Sequence, residues 1–328
     1  MQCPVLAVDA QRPAAEAIAR AAEILRSGGL VAFPTETVYG LGANALDANA
    51  VAKIFVAKGR PATNPIIVHV ATIDDANNLV SVWPSIAQRL AERFWPGPLT
   101  LVLPRAACVP DAVTAGGPTL GIRMPAHPVA HALLQACRLP IAAPSANRST
   151  ELSPTLPGHV LAGLGDRIEL LLDSGPTAGG IESTVLDLTT NPPRLLRPGL
   201  ATIGEIEAEI GPIDRGPSDA RIARSPGQMR RHYAPNTPIE VVTKSKARVA
   251  ELTEQGLRVG WMTHMDGERL AAVKITLPSD AIGYAAQMYA ALHQLDDASL
   301  DRIIVEMPPE GDDWLAIHDR LHRACVGA

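Results

Sequence analysis

Residues 58–70 read KGRPATNPIIVHV and join a helix-like segment to an apolar, strand-like one. Lys58 and Arg60 flank a glycine, two prolines follow, and no acidic residue occurs before Asp74. A solvated helix face would space its charges at i, i+4 and alternate their signs, which this stretch does not do. Because glycine and proline also disfavour a helix, the stretch reads as a cationic binding loop.

Outward from this loop, strand-like and helix-like segments alternate in both directions. Asp47 can cap a helix that runs through Val56, before the loop. The other predicted helices are near 13–27, 84–94, 128–137 and 202–210, and the predicted strands are 30–34, 66–70, 99–103, 121–125, 183–188 and 193–199. Interleaving of this kind favours an α/β fold, here a mixed, open, twisted sheet with flanking helices.

The composition changes after residue 210. Residues 211–238 contain five prolines, and residues 221–232 contain four arginines and no acid. Beyond residue 238, strand-like segments such as IEVV, LRVGWM, VKITL and RIIVEM alternate with helices near 244–255 and 280–295 and a final helix. We therefore predict a first domain at 1–210, a proline- and arginine-rich linker at 211–238, and a smaller α/β domain at 239–328.

Composition excludes several classes of protein. The 328 residues suffice for about two domains, and the formal net charge of -5 argues against a surface that coats nucleic acid. The four cysteines form no C-x-x-C pair, which fits a reducing compartment better than a zinc site or a disulfide framework. Neither a signal peptide nor an apolar stretch of about 20 residues is present. We expect a cytoplasmic protein with no membrane partner.

Neither of two common phosphate-binding motifs fits this sequence. No G-x-x-x-x-G-K-[ST] sequence occurs. Gly40, Gly42 and Ala45 form G-x-G-x-x-A, but five residues separate this motif from the preceding strand and no acid lies near residue 65 to hold a ribose. We therefore interpret these residues as a glycine turn.

Several polar side chains are candidates for binding, each with a structural alternative. Ser145 and Asn147 can hydrogen-bond to an anion or close a turn. Arg123 lies in a short strand and can pair with a substrate carboxylate or with an internal Asp or Glu. His69 alternates with apolar neighbours, which is typical of a satisfied core histidine. The polar residues of PTETVYG (34–40) and IEST (181–184) fall at predicted strand ends, where open α/β sheets collect ligands.

Seven segments in order resemble the motifs of the YrdC-type threonylcarbamoyl-adenylate synthases. These segments are PTETVYGLGANA, KGRPATNP, FWPGPLT, GIRMPAHP, PSANRSTELSPT, ESTVLDL and LRPG, within residues 15–200. SPGQMRRHYAP (225–235) is similar to the linker of the longer, two-domain form. The resemblance implies a YrdC-like sheet followed by a Rossmann-like carboxy-terminal domain.

The resemblance also implies a reaction: L-threonine, bicarbonate and ATP give threonylcarbamoyl-AMP and pyrophosphate, with Mg2+ as cofactor, for threonylcarbamoyladenosine modification of tRNA. The enzyme would be a nucleotidyltransferase with Lys58 and Arg60 as its catalytic cations. The implied ATP contacts are Lys58, Arg60, Asn64, Thr119, Ser145, Asn147, Ser153, Arg197 and Tyr233. The implied threonine contacts are Thr37, His69, Arg123, the backbone of Ala143, and Ser183. The ligands of Mg2+ stay open.

The linker and the partners complete these expectations. The resemblance implies that the linker covers the nucleotide as a lid, and that the product passes to the machinery that transfers the threonylcarbamoyl group to tRNA. Direct tRNA binding and the role of the carboxy-terminal domain stay open. Two other functions also stay open: an RNA-binding module, and a relative that uses carbamoyl-adenylate.

Overall fold

The computed structural model describes residues 3–216, 233–265 and 270–325, which form two compact units. The first unit consists of residues 3–149, 154–178 and 182–216, and the second of residues 150–153, 179–181, 233–265 and 270–325. Two short segments from within the predicted first domain therefore belong to the second unit. Residues 217–232 lie outside the described residues. They make up most of the predicted linker, and the prediction that this linker acts as a lid therefore also lies outside the described residues.

The described part of the first unit forms ten strands and eight helices. The strands are β1 (Val5–Ala7), β2 (Val31–Phe33), β3 (Gly40–Asn44), β4 (Val68–His69), β5 (Leu99–Pro104), β6 (Thr119–Arg123), β7 (Ile141–Ala142), β8 (Leu170–Asp173), β9 (Thr184–Asp187) and β10 (Arg194–Arg197). The helices are α1 (Ala15–Arg26), α2 (Ala48–Lys58), α3 (Ile73–Asn77), α4 (Ser85–Phe94), α5 (Asp111–Thr114), α6 (Pro128–Cys137), α7 (Pro157–Leu164) and α8 (Ile203–Ile210).

All ten strands belong to one mixed sheet. Its order is β1-β8-β2-β3-β7-β4-β6-β5-β9-β10. The pairs β1–β8, β2–β8, β4–β6 and β5–β9 are parallel, whereas β2–β3, β3–β7, β4–β7, β5–β6 and β9–β10 are antiparallel. The predicted fold class of this unit is confirmed.

Several local predictions were incomplete or wrong. Strands β1 and β8 and helix α7 were not predicted, and the strand predicted at 66–70 is ordered as a strand only over Val68–His69. Gly40–Asn44 is not a glycine turn but strand β3, in antiparallel register with β2. These glycines lie in a strand because Phe33 of the neighbouring strand β2 packs over them, where a larger side chain at position 42 would clash.

One hydrophobic core of the first unit lies between the sheet and helices α1 and α6. Leu25 on α1 and Leu133 on α6 are fully buried against Phe33, Ile141 and residues of β8. A fully buried leucine contributes about 1.5–3 kcal/mol of hydrophobic free energy. This packing fixes β2 and β7, the strands that lead into two of the polar clusters.

Helix α2 places the cationic loop and includes its first residue, Lys58, whereas residues 59–70 are not helical, as predicted. The Asp47 side chain accepts a hydrogen bond from Asn49 N–H, and Lys58 is the last helical residue. Gly59 has φ 60°, Arg60 N–H donates to Phe55 O at 3.0 Å, and Gly59 N–H donates to Val56 O at 3.2 Å. This is a Schellman ending, which needs a left-handed residue and therefore favours glycine.

The second unit has a smaller sheet. Its strands are β11 (Ile239–Val242), β12 (Val259–Thr263), β13 (Val273–Thr276) and β14 (Arg302–Glu306), and its helices are α9 (Ser245–Glu254), α10 (Ala281–Asp296) and α11 (Leu315–Cys325). The order is β11-β14-β12-β13, and all pairs are parallel. Trp261 on β12 packs with Val249 and Leu252 of α9. The prediction of a smaller Rossmann-like domain is confirmed.

Candidate functional site

Strand register brings His69 and Arg123 together. In the parallel pair β4–β6, His69 lies opposite Arg123, and in the antiparallel pair β4–β7 it lies opposite Ile141. Residues opposite one another on adjacent strands point to the same face of the sheet, with strands about 4.8 Å apart. Both side chains are buried, at 4% exposure each.

Arg123 makes three polar contacts inside the first unit. Its Nε donates to Gly97 O at 3.1 Å and its Nη1 donates to Thr37 Oγ1 at 3.0 Å. Its Nη2 lies 2.6 Å from Glu36 Oε1. Arg123 therefore contacts an internal carboxylate, which was one of its two predicted partners. It also contacts Thr37, another of the predicted threonine-binding residues.

The contact between Arg123 and Glu36 is close but is not aligned as a hydrogen bond. Among the described residues, neither carboxylate oxygen of Glu36 nor Nη2 of Arg123 has a hydrogen-bonding partner, although all three atoms are buried. A buried polar atom without a hydrogen bond costs about 1–3 kcal/mol. A ligand that bonds to these atoms would recover that cost.

His69 is buried but is not the satisfied core histidine that the sequence pattern suggested. Its Nδ1 has no hydrogen-bonding partner among the described residues. Burial and the charge of Arg123 lower the pKa of His69 to about 3, although the backbone of Ile67 and of Ile141 acts in the opposite direction. The ring is therefore neutral at physiological pH, and Nδ1 can accept or donate one hydrogen bond according to its tautomer.

Phe33 fixes the position of the His69 ring. The two rings meet edge to face, with centroids 6.3 Å apart and planes at 89°. The phenyl ring crosses strand β3 at its glycines: a Cβ at Gly42 would lie 2.8 Å from Phe33 Cε1 and 2.9 Å from Ile141 Cγ2. The motif Gly-x-Gly at 40–42 thus provides room for an aromatic ring, not a cradle for a dinucleotide.

Lys58, at the end of α2, contacts the loop that follows β7. Its Nζ donates to Ser145 O at 2.5 Å, to Asn147 O, and to Asn147 Oδ1 at 3.4 Å. These three acceptors match the three N–H donors of an ammonium group. The structure therefore brings the predicted Lys-x-Arg and Ser-x-Asn residues together.

The residues next to Lys58 and in the loop that it contacts are also held by the chain itself. Arg60 donates to Asn64 O at 3.3 Å and to Pro65 O at 2.9 Å. Ser145 Oγ donates to Asn147 Oδ1 at 2.5 Å. Thr119 begins β6, four residues before Arg123 and about 13 Å along the strand.

A third polar group lies where β5 and β9 begin. Arg197 Nε donates to Ser183 O at 3.0 Å and its Nη2 donates to Ser183 Oγ at 3.1 Å. Ser183 Oγ is also 2.8 Å from Thr100 Oγ1, and all three side chains are buried. Because Leu99 pairs with Thr184, Ser183 lies beside Gly97 and Pro98, where Arg123 Nε donates to Gly97 O.

Three predicted contacts have environments that the sequence did not suggest. Ala143 N–H donates to Ile67 O at 3.0 Å, so this backbone donor is already used inside the first unit. Ser153 and Tyr233 belong to the second unit, where Ser153 O is 3.2 Å from His293 Nε2. The Tyr233 ring lies 5.9 Å from that of Tyr289, with the Arg320 guanidinium 5.4 Å from its centroid.

Sequence reasoning assigned no role to Glu36 or Thr100. Glu36 stands between the two threonines of PTETVYG, and its charge within an otherwise neutral turn was the available signal. Thr100 gave no signal, because a threonine in an apolar strand is usual. The predicted assignment of each residue to ATP or to threonine stays a prediction.

The fold and the site define a class of protein: an α/β chain whose mixed sheet carries, within one unit, a buried guanidinium pocket and a cationic loop. Such a pair of groups suits two small ligands that both carry negative charge.

Comparison with known proteins gives the family. Residues 23–199 match the family model Sua5_yciO_yrdC, described as "Telomere recombination", and residues 201–326 match Sua5_C, "Threonylcarbamoyl-AMP synthase, C-terminal domain". The chain belongs to the Sua5/YciO/YrdC family, in its two-domain form.

Similar relatives match over almost their whole length. The threonylcarbamoyl-AMP synthase of Pyrococcus abyssi is 45% identical over 93% of this chain and 92% of its own, and that of Bacillus subtilis is 47% identical over 94% and 93%. The crystal structure of P. abyssi Sua5 complexed with L-threonine has a TM-score of 0.93, at 42% identity, over 98% of this chain and 97% of that chain.

Proposed function

We propose that the protein is a threonylcarbamoyl-AMP synthase that converts L-threonine, bicarbonate and ATP into threonylcarbamoyl-AMP and pyrophosphate. The observation that carries this proposal is that one unit holds both the Arg123 pocket on β6 and the Lys58 loop next to β7, two strands that each pair with β4. Full-length similarity to proteins of that name supports it. In this scheme the enzyme is a nucleotidyltransferase, because it transfers AMP to a carbamate.

The pocket around Arg123 suits the amino acid. The guanidinium matches the α-carboxylate, since planar forks bind carboxylates in two-point fashion. The Nδ1 of neutral His69 and the Oγ1 of Thr37 can hydrogen-bond to the threonine hydroxyl or α-nitrogen. Ser183 Oγ and the carbonyl of Ala143 complete the proposed set of threonine contacts.

The loop beside it suits the nucleotide. We assign the phosphates to Lys58, Arg60, Ser145 and Asn147, and further ATP contacts to Asn64, Thr119 and Arg197. Ser153 and Tyr233 belong to the second unit, and their contact with ATP stays a prediction. Lys58 and Arg60 are the catalytic cations of this proposal because they would face the reacting phosphate. To reach it, they must exchange or share their present contacts with backbone carbonyls.

The chemistry requires two anions to meet. The α-amine loses a proton and forms an N–C bond with carbon dioxide from bicarbonate; water is released, and a carbamate oxygen then attacks the α-phosphorus. The bond from that phosphorus to the bridging oxygen breaks, and pyrophosphate leaves with the electron pair. At about 4 Å and an effective dielectric of 20, two unit charges repel by roughly 4 kcal/mol, so fixed cations are the main catalytic requirement.

Mg2+ is the proposed cofactor. The described residues contain no group of three His, Cys, Asp or Glu side chains that could hold a metal ion. Mg2+ commonly binds through substrate phosphates and water, so the ion would arrive on the triphosphate. There it would reduce the charge repulsion between carbamate and phosphate.

The proposed setting is a reducing cytoplasm. All four cysteines are free, and no helix in the described parts of the chain is long and apolar enough to cross a membrane. We propose that the product is passed to the machinery that modifies tRNA with threonylcarbamoyladenosine.

An assay of pyrophosphate release tests the function. The protein is incubated with ATP, bicarbonate, Mg2+ and single amino acids, in the absence of RNA. We expect release that depends on both threonine and bicarbonate and that falls sharply in Lys58→Ala and Arg60→Ala. Release that does not depend on any amino acid would refute the proposal.

A further inference from the structure

Glu36 has no role in the function proposed above, yet it lies against Arg123, the main residue of the proposed amino-acid pocket. Its Oε1 is 2.6 Å from Arg123 Nη2, and the two side chains are 17% and 5% exposed. Both of its carboxylate oxygens are buried without a hydrogen bond from any described residue. A buried carboxylate normally accepts several hydrogen bonds, so the protein leaves this acceptor capacity for another molecule.

The charges around Glu36 limit what that molecule can be. Arg123 faces it at contact distance, and the Glu36 charge also acts on His127, whose pKa is lowered by burial and raised in part by Glu36. The remaining neighbour on the same turn is Thr37, whose Oγ1 accepts from Arg123 and lies 2.7 Å from Thr35 Oγ1. The pocket therefore offers a cationic donor and an anionic acceptor side by side.

An α-amino acid carries the complementary pair on one carbon. Its carboxylate needs cationic donors, and its ammonium group has donors and no acceptor. Of the five N–H donors of Arg123, hydrogen bonds to Gly97 O and Thr37 Oγ1 use two, which leaves donors for a carboxylate. Glu36 is the acceptor placed next to them.

We propose that Glu36 recognises the α-nitrogen of the amino-acid substrate. It accepts a hydrogen bond from the ammonium group on binding and from the carbamate N–H after carbon dioxide has been captured. This inference rests on the proposed function. With Arg123 on the α-carboxylate and Glu36 on the nitrogen, two substituents of Cα are fixed, and the nitrogen is held in one orientation while its new bond forms.

A purely structural role makes a different prediction. If Glu36 only neutralises Arg123, its removal would change the affinity of every carboxylate ligand by the same factor, whether or not the ligand has an α-amino group. If Glu36 binds the nitrogen, its removal would weaken ligands that have an α-amino group and spare those that lack it. The ratio of two affinities separates these roles even when the variant is less stable.

The test compares L-threonine with 3-hydroxybutyrate, which keeps the carboxylate and the hydroxyl and lacks the α-amino group. Affinities are measured by calorimetry without ATP, and as inhibition constants against threonine in the pyrophosphate assay if direct binding is weak. Glu36→Gln preserves the shape and removes the charge. We expect threonine affinity to fall about 10- to 100-fold, as for a lost charge-assisted hydrogen bond, and 3-hydroxybutyrate affinity to change less than about threefold.

Two further variants complete the design. Glu36→Asp keeps the charge on a shorter side chain and should retain part of the preference for threonine, which provides a second reading if Glu36→Gln does not fold. Glu169→Gln is the matched control, because the Glu169 carboxylate accepts from Leu30 N–H at 2.8 Å, away from the pocket. It should leave the ratio of affinities unchanged.

The outcomes are distinguishable from failure of the function itself. Equal losses for both ligands, or no loss for either, would overturn the role of Glu36 while threonine-dependent pyrophosphate release by the wild-type protein still stands. Absence of that release in the wild-type protein would overturn the function, and absence of threonine binding would overturn both.

Discussion

The two polar clusters beside β4 differ in how far the protein satisfies them. In the Lys58 loop, the ammonium group already has three protein acceptors, and Arg60 donates to two backbone carbonyls. In the Arg123 pocket, by contrast, Glu36 and His69 each keep buried polar atoms without a hydrogen bond from the described residues. The first cluster is preassembled by its own backbone, and the second is incomplete without a ligand.

This difference indicates how the two ligands would be bound. Phosphate must compete with carbonyl oxygens for Lys58 and Arg60, so part of its binding free energy offsets the contacts that are lost. An amino acid instead supplies partners to atoms that have none, which recovers about 1–3 kcal/mol for each buried group. We expect the second site to be more selective for the exact arrangement of polar atoms in its ligand.

The largest effect is expected from Lys58→Ala, which disrupts the preassembled cluster. Lys58→Ala removes a cation that the proposed mechanism places at the reacting phosphate. Loss of one such oriented group typically costs about 100- to 1000-fold in rate, and we expect a decrease of that size in kcat/KM for ATP. Threonine binding in the absence of ATP should change little, because Lys58 donates to Ser145 O, Asn147 O and Asn147 Oδ1 in the loop after β7.

Lys53→Ala is the matched control for that experiment. Lys53 lies on the same helix and also donates to a backbone carbonyl, Gly28 O, at 2.6 Å. Its removal should affect stability slightly and leave the pyrophosphate assay unchanged. Equal losses in the two variants would mean that Lys58 only supports α2.

The next largest effect is the pH dependence of stability that His69, in the Arg123 pocket, should cause. The pKa of His69 is held near 3 in the folded protein, against about 6.5 in the unfolded chain, so the unfolded state takes up a proton first as the pH falls. The free energy of unfolding therefore has its full value, as far as His69 is concerned, above pH 6.5, and it decreases as the pH falls below 6.5. At pH 5 the loss from this residue is about 2 kcal/mol, at 1.36 kcal/mol for each pH unit.

Urea denaturation of wild type and His69→Gln at pH 8 and pH 5 measures this effect. His127 and His293 also have lowered pKa values and contribute in the same direction, so the difference between the two proteins is the relevant quantity. The variant should lose less stability on acidification than the wild type does. His322→Gln, at an exposed position, should behave as the wild type. An identical pH dependence in all three proteins would contradict a buried neutral His69.

A larger side chain at position 42 tests whether the packing of Phe33 against His69 maintains the same pocket. A Cβ at position 42 would lie 2.8 Å from Phe33 Cε1, and Phe33 in turn contacts His69. We expect Gly42→Ala to lower the free energy of unfolding by about 1.5 kcal/mol, as overpacking of a core does, and to weaken threonine more than ATP. Gly40→Ala is the control, since its Cβ would meet Phe33 and Ala143 at an ordinary 3.5 Å. If both variants matched the wild type, the aromatic contact would have no role in the pocket.

The sequence predicted these clusters unequally, for physical reasons. Lys58, Arg60, Ser145 and Asn147 lie in short local motifs rich in glycine, proline and hydroxyl groups, so their grouping followed from motif and resemblance. The role of Gly42 did not, because it depends on a ring from the neighbouring strand. Single-sequence patterns carry local conformation and periodicity but not the partner across a sheet.

Glu36 illustrates the same limit. The sequence placed it in a polar turn and offered an internal acid as one partner for Arg123, but 86 residues separate Arg123 from Thr37, the neighbour of Glu36. Strands β1 and β8 were missed for a related reason: each is short, and each gains its stability from pairing with the other. The fold class could be predicted from the alternation of strands and helices alone. The contacts in the pocket could not, because they depend on the register between strands.

The smallest predicted effect concerns Ser183, which lies between the two proposed ligand sets. Its Oγ accepts from Arg197 at 3.1 Å and is 2.8 Å from Thr100 Oγ1. Ser183→Ala removes both contacts, but Arg197 keeps its hydrogen bond to Ser183 O, so we expect about 1 kcal/mol, or roughly fivefold, in threonine affinity. If Ser183 also connects the two sites through Arg197, ATP affinity should fall by a similar factor, and Thr100→Val should reproduce only the threonine effect. A loss for threonine alone in Ser183→Ala would mean that the two clusters bind independently, because the hydrogen bond from Arg197 to the Ser183 hydroxyl would then contribute nothing to ATP binding.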